Sequence, residues 1–200
     1  YVKVANELLP ERAEFYRQTH PHTEMICGDI SDKAVFSNVI MKAREQKINF
    51  LLATPPCQGM STLGKRQYES DKRNSLIQYV IKAINELRPD YILIENVPKF
   101  LELLYDEDGT VFYKDTAKNP NPYHIVDLLN YLYASEYIIE SRVLNAMNYG
   151  VPQSRPRAII KMYHKGLKWG WPKEENHIIT LREAIGELPS LEAGEKSDLK

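Results

Sequence analysis

The chain has 200 residues, 43% of them hydrophobic, and a formal net charge of -1. That composition suits one domain with a buried core and argues against global disorder, while a near-neutral balance leaves a nucleic-acid partner open, because a basic groove can coexist with acidic surface elsewhere. Two cysteines are too few for a disulfide framework, and no apolar stretch reaches the length of a membrane span or signal peptide, so a cytoplasmic protein with reduced thiols and no membrane partner is expected.

The chain opens at Tyr1 in an apolar-alternating segment, which reads as a fragment of a longer polypeptide. Val2 to Leu9 predicts a short strand ending near Asn6-Glu7, and Pro10 sits where the first turn of a helix running to Thr19 accepts it. Met25-Ile26-Cys27 predicts a second strand, closed by Gly28-Asp29-Ile30. Ser31 or Asp32 then caps a helix to about Gln46. Ile48 to Ala53 is a third strand, continuously apolar and therefore expected to be covered on both faces. Ser61 to Lys72 lacks periodicity and reads as a loop, after which Ser75 to Leu87 predicts an amphipathic helix stopped at Arg88-Pro89-Asp90. Tyr91 to Ile94 is a fourth buried strand. Tyr105 to Tyr123 reads as an inserted loop, His124 to Ala134 as a helix, and Tyr137 to Leu144 and Ala158 to Tyr163 as the last strands. Past Gly166 the pattern weakens, and Trp169 to Pro172 and Thr180 to Leu188 suggest the start of another module.

Strands and helices alternating at these spacings call for an α/β fold with a mostly parallel sheet, whose ligands bind outside the carboxyl ends of the strands. Glu7, Asp29, Cys57 and Glu95 lie at or just past such ends, so carboxylates and a thiol are expected to gather on one rim. Cys57 follows two prolines and opens a polar loop, which leaves its thiol accessible, as a nucleophile requires. Most isolated cysteines are small core residues, and Cys27 keeps that reading; the Pro-Pro-Cys-Gln context reverses it for Cys57. Glu95 ends an apolar strand, where a carboxylate is costly unless it is hydrogen-bonded or protonated, and a proton held there can be donated near neutral pH. Arg155 and Arg157 put two guanidinium groups on one side of an extended segment, suited to an anion or a base, although a solvated basic edge is the commoner meaning of such a pair. No residue grouping suggests a metal.

Three motifs, Pro55-Pro56-Cys57-Gln58 with Ser61, Glu95-Asn96-Val97, and Gln153-x-Arg155-x-Arg157, resemble in order and spacing those of the DNA (cytosine-5) methyltransferases. The flanks agree: Asn6-Glu7-Leu8 and Gly28-Asp29-Ile30 look like the family's second and third strand ends. The resemblance runs from about residue 1 to 165, the catalytic domain, and residues 166–200 look like the passage into target recognition. It implies a Rossmann-like class I methyltransferase fold and methyl transfer from S-adenosylmethionine to C5 of a cytosine flipped out of double-stranded DNA. Cys57 would attack C6, Glu95 would hold or protonate N3, Arg157 would contact the base and Arg155 would order the site. Glu7, Asp29, Ile30, Pro55 and Leu76 would hold the methyl donor. Gln58, Ser61, Lys65, Arg66, Arg73 and Gln153 would face DNA. Restriction-modification is the implied setting; cytosine in RNA and a catalytically silent subunit of a split enzyme are the alternatives.

The family's opening strand and Gly-rich cofactor turn have no counterpart in these 200 residues. By resemblance that strand would lie between the one ending at Glu7 and the one ending at Ala53, so a gap is expected there. A fragment of a longer enzyme, one subunit of a split enzyme requiring a complementary subunit, and a degenerate copy are the three expectations, in that order.

Overall fold

The computed structural model describes residues 1–56, 76–111 and 121–188. Strands β1 (Val4–Glu7), β2 (Glu24–Cys27), β3 (Phe50–Ala53) and β4 (Tyr91–Asn96) alternate with helices α1 (Pro10–Thr19), α2 (Lys33–Glu45) and α3 (Ile77–Leu87). A short pair, β5 (Leu104–Tyr105) and β6 (Tyr123–His124), then precedes α4 (Ile125–Tyr133), β7 (Tyr137–Asn145), β8 (Pro156–His164) and α5 (Leu181–Ile185).

Local chemistry sets the boundaries. Pro10 occupies the first turn of α1, where its missing N–H is not needed. Of the two candidate caps for α2 the structure uses Asp32, whose Oδ1 accepts from the N–H groups of Ala34 and Val35 at 2.7 and 3.1 Å. Arg88, at φ 44°, ends α3 in a left-handed turn just before Pro89. Thr180 and Glu183 form a reciprocal capping box at α5, and hydrogen bonds from the Thr180 backbone and side chain, then from His177, hold the Glu183 carboxyl down at about 2.

Ile77, Val80, Ile81 and Ile84 recur at helical spacing on α3 and are buried, with Leu128, Leu129 and Tyr133 of α4, against Ile92, Ile94, Ile160 and Met162 of β4 and β8. Burying each such side chain stabilises by roughly 1.5–3 kcal/mol. The phenols that close this core are tied to main chain: Tyr133 Oη donates to the Ile81 carbonyl at 3.2 Å and Tyr137 Oη to the Pro89 carbonyl at 2.9 Å. Burial pushes both up to about 12.

The α/β architecture is as expected, and the strands form a mixed arrangement. β1 and β2 pair in parallel as a two-stranded sheet, and the main sheet has the order β3-β4-β8-β7. β3 and β4 are parallel, whereas β8 runs antiparallel to both β4 and β7. The connection from β7 to β8, residues 146–155, is too short for a crossover, so β8 must reverse. Among the described residues β1 and β3 are not hydrogen-bonded to each other, although α2 packs on β1 and β2 and also against α3.

Several expectations need correction. β3 is covered on one face only, because Phe50 and Leu52 are 45% and 58% exposed while Leu51 and Ala53 meet the core; an apolar run shows that both faces can be buried, not that both are. β4 extends to Asn96, so Glu95 lies within the strand. Residues 105–123 are not simply a loop, since Tyr105 and Val111 are buried and the segment's described ends pair as β5 and β6. Past Gly166 the chain folds back on the main sheet, where Trp169 meets Phe50 and Tyr91 with ring centroids 5.7 and 5.5 Å apart.

Candidate active site

Register carries the site. Ala53 pairs with Ile94, so the chain leaves β3 at Thr54 beside Glu95 and turns through Pro55-Pro56. Asn96, only 5% exposed, fixes that turn: its Nδ2 donates to the Pro55 carbonyl at 3.0 Å, while its Oδ1 accepts from Val97 N–H at 2.9 Å. Both ends of the amide are used, and two strand ends become one rigid edge. The Asn96→Asp substitution keeps the shape and the acceptor but loses the donor to Pro55. It is expected to cost about 1–3 kcal/mol, read as a lower urea midpoint at unchanged m.

On the other flank of β4, Glu95 is level with Ile159 and Asn96 with Ala158, which puts Arg157 one step beyond and on the Glu95 face. Arg157 Nε reaches Glu95 Oε1 at 2.8 Å, with the two side chains 24% and 29% exposed. A half-buried carboxylate and guanidinium thus satisfy each other at the mouth of the turn that leads to residue 57. Arg157 also donates from a terminal nitrogen to the Pro156 carbonyl at 2.8 Å, which steadies the guanidinium.

Arg155 is placed differently. It precedes β8, is exposed, and is held through its backbone, whose N–H donates to Asn145 Oδ1 at 2.8 Å. Asn145 Nδ2 also donates to Ser154 Oγ at 3.3 Å, so one side chain closes the loop from the end of β7 to the start of β8. Gly150 turns that loop at φ 81°, a conformation that disfavours any side chain. Gln153 is exposed. The two arginines therefore do not share one contact, and only Arg157 joins Glu95.

The candidate cofactor residues fall at the ends of β1 and β2 and at the start of α3. Glu7 Oε1 accepts from Leu9 N–H at 3.0 Å, and Asp29 Oδ1 accepts from Ser31 N–H at 2.8 Å. Asp29 thus orients its own turn, and Asp32 caps the helix. Gly28, at φ 147°, lets this turn lie against α2, where a Cβ would come within 2.8 Å of Val35 Cγ2. Tyr79 Oη donates to the Ser31 carbonyl at 3.3 Å and stacks edge-on with Phe36, bringing the first turn of α3, with half-buried Leu76, to the turn that holds Asp29 and Ile30. Two oriented carboxylates flanked by half-buried apolar side chains suit a ligand with hydroxyl and amino donors and a flat ring.

Cys57, Gln58, Ser61, Lys65, Arg66 and Arg73 lie outside the described residues. Among the described residues no grouping of His, Cys, Asp and Glu could hold a metal, and no helix is long and apolar enough to cross a membrane. Asn96 stands in a quoted motif that gave it no role, and Asn145 was not singled out in the sequence. The available signal was an amide inside a strand end and another at the mouth of a short loop, where unpaired backbone groups need partners.

A family model described as C-5 cytosine-specific DNA methylase matches residues 2–200. The chain is 44% identical to the Type II methyltransferase M1.HgaI of Avibacterium volantium, covering 98% of this chain and 53% of that protein. It is 26% identical to M1.HphI of Haemophilus parahaemolyticus, over 96% and 48%. The chain thus spans about half the length of these curated relatives. In fold it is similar to a prophage-encoded E. coli protein described as a DNA modification methyltransferase, with TM-score 0.66 and 22% identity over 96% of this chain and 49% of that one. With the family matched along nearly its whole length, this chain belongs to the C-5 cytosine-specific DNA methylases.

Proposed function

We propose that these residues form the catalytic region of an enzyme that methylates C5 of a flipped cytosine in double-stranded DNA, acting in the cytoplasm within a restriction-modification system. The observation that carries this reading is the Glu95–Arg157 pair, held at 2.8 Å beside the tethered Pro55-Pro56 turn that leads to Cys57. Among the described residues it brings together Glu95 and Asn96, Arg157 and the prolines that precede Cys57, which supports the reading. The catalytic domain is assigned to residues 1–165 and the start of the target-recognition region to 166–200.

Cys57, as thiolate, forms an Sγ–C6 bond, and the electron pair of the C5–C6 double bond moves into the ring toward N3 and O2. Glu95 meets that charge by holding or giving a proton at N3, and Arg157, bound to Glu95, places a fixed positive charge at the same edge of the base. S-adenosylmethionine would supply the methyl group that C5 takes up, and would leave as S-adenosylhomocysteine. Transfer of the C5 proton to solvent then restores the C5–C6 double bond and expels Cys57 as thiolate, while N3 gives back its proton. Arg155, held by its backbone at Asn145, would help to order the site. A stacked, paired cytosine hides C6 and N3, so the base has to leave the duplex; Gln58, Ser61, Lys65, Arg66, Arg73 and Gln153 would contact the DNA that surrounds it.

The methyl donor would be held by Glu7 at its ribose hydroxyls and Asp29 at its adenine amino group, with Ile30 packed on the ring and Pro55 and Leu76 as borders. The oriented carboxylates and the contact from Tyr79 to Ser31 support this assignment. Among the described residues one edge of β1 and one of β3 have no strand partner, which, with the exposed Phe50 and Leu52, supports a further covering element, either more of the same polypeptide or a complementary subunit.

The test offers labelled S-adenosylmethionine to the complete gene product with duplex DNA and, separately, with RNA of the same sequence, followed by digestion to nucleosides. Labelled 5-methylcytosine in DNA is expected. Label only in RNA, or on an exocyclic nitrogen, would contradict the proposal.

A further inference from the structure

Lys161 stands in the middle of β8 among apolar neighbours, and its side chain is only 2% exposed. It pairs in register with Glu140 of β7. Lys161 Nζ lies 3.2 Å from Glu140 Oε1 and donates to the Trp169 carbonyl. Tyr163 Oη donates to Glu140 Oε1 at 2.8 Å, and Trp171 Nε1 donates to Oε2 at 2.6 Å. The centroid of the Trp171 ring lies 4.5 Å from Lys161 Nζ and 4.8 Å from the Arg142 guanidinium. Both carboxylate oxygens and the ammonium are thus engaged by partners from β7, β8 and the strap that follows β8.

Energy alone does not explain such an arrangement, because well-packed apolar side chains often serve stability as well as a buried ion pair does. What a network of directional bonds adds is position: apolar rings can slide on a sheet, whereas these bonds fit one placement of the strap. Beyond the strap the chain returns to the catalytic loop. Glu175 N–H donates to the Asn148 carbonyl at 2.8 Å, and Asn148 Nδ2 donates to Glu174 Oε1 at 3.2 Å. Asn148 belongs to the turn between Asn145, which holds Arg155, and Gly150.

We propose that Lys161 and Glu140, with Tyr163, Trp169 and Trp171, form a positioning lock that pins residues 169–175 across the sheet and thereby braces the loop that holds Arg155 by its backbone and leads into Arg157 beside Glu95. The catalytic part of this statement rests on the function proposed above; the structural part does not. Titration agrees with the geometry: burial pushes the Glu140 carboxyl up, but the hydrogen bonds from Tyr163, Trp171 and Lys161 together outweigh it and leave the group below its ordinary value. The bond to Glu140, then burial, pushes the Tyr163 phenol up.

The chain contains only two tryptophans, both in the strap, so their emission reports the lock. In Lys161→Met, emission should shift to longer wavelength and quenching by acrylamide should rise. The amides of Glu175 and Arg155 should exchange about tenfold faster, with those of β1 and β2 unchanged. In the complete gene product kcat should fall on the order of 10- to 100-fold with the KM for the methyl donor unchanged. Trp171→Phe keeps an aromatic ring, loses one bond to Glu140 and leaves Trp169 as the single emitter; read by amide exchange and kcat, it should show the same changes in milder form and decides the matter if Lys161→Met does not fold. An unchanged emission, or a released strap with Arg155 exchange unchanged, overturns the lock. Faster Arg155 exchange with unaltered kcat overturns the positioning role. A wild-type protein that methylates nothing overturns the function proposed above, while the exchange measurements still decide the structural coupling.

Discussion

Cys57→Ser is expected to abolish methyl transfer, with a loss on the order of 10^4-fold or more, as nucleophile replacements give in other covalent enzymes. The size follows from acidity. A thiol ionises near pH 8.5 and is further activated by positive neighbours, whereas a serine hydroxyl has no accessible anion at neutral pH and no base assigned to it here. The change is small in volume and lies beyond a turn that Asn96 already holds by the Pro55 carbonyl, so the fold should survive it. Binding of duplex DNA should persist, because the groups assigned to backbone contact remain. Initial rates of label incorporation, together with a DNA-binding isotherm, check both halves; a serine variant that retains even a tenth of the activity would mean that no covalent bond to residue 57 is required.

Glu95→Gln is expected to lower the single-turnover rate by about 10^2- to 10^4-fold, the range of a general acid placed at a reacting group. The amide keeps the length of the side chain but removes the charge that Arg157 Nε meets at 2.8 Å. Two losses follow: nothing holds or supplies the proton at N3, and the guanidinium is left half-buried without its anion. Because the two residues act as one unit, Glu95→Gln with Arg157→Ala should cost less than the sum of the single changes. Additive losses in a double-mutant cycle on the single-turnover rate would separate the two residues and count against the pair.

Much of this fold was legible in the sequence because its signals are local. Pro10 marked the start of α1, Asp32 was one of two named caps for α2, and the amphipathic pattern of Ser75 to Leu87 marked α3. The strand ends that carry Glu7, Asp29 and Glu95 were placed within a residue or two for the same reason. What was missed depends on partners far along the chain. Lys161 reads as an interruption of a strand until Glu140, 21 residues earlier, and Trp171, ten later, are seen around it. Asn96 looks like a motif letter until the Pro55 carbonyl, 41 residues away, is found at its amide. The free face of β3 was hidden by composition, because Phe50-Leu51-Leu52-Ala53 fits two covered faces as well as one.

At the site, residue types and their order pointed to the chemistry, and the structure added the pairing. The sequence set Arg155 and Arg157 side by side; the register of β8 on β4 gives Arg157 alone to Glu95 and leaves Arg155 to Asn145. The candidate residues also divide between two sheets, with Glu7 and Asp29 at the ends of β1 and β2 and Glu95 and Arg157 on the main sheet, and α2 packs against α3 between them, a division that periodicity does not contain.

The central claim is a covalent bond between Cys57 and C6 of cytosine, and the most direct measurement is a mechanism trap. The complete gene product is incubated with S-adenosylmethionine and duplex DNA carrying 5-fluorocytosine, whose fluorine cannot leave as the C5 proton does. A protein–DNA adduct that survives denaturation, maps to Cys57 by mass spectrometry and vanishes in Cys57→Ser is expected. Active enzyme that forms no adduct, or an adduct that persists in the serine variant, would contradict it.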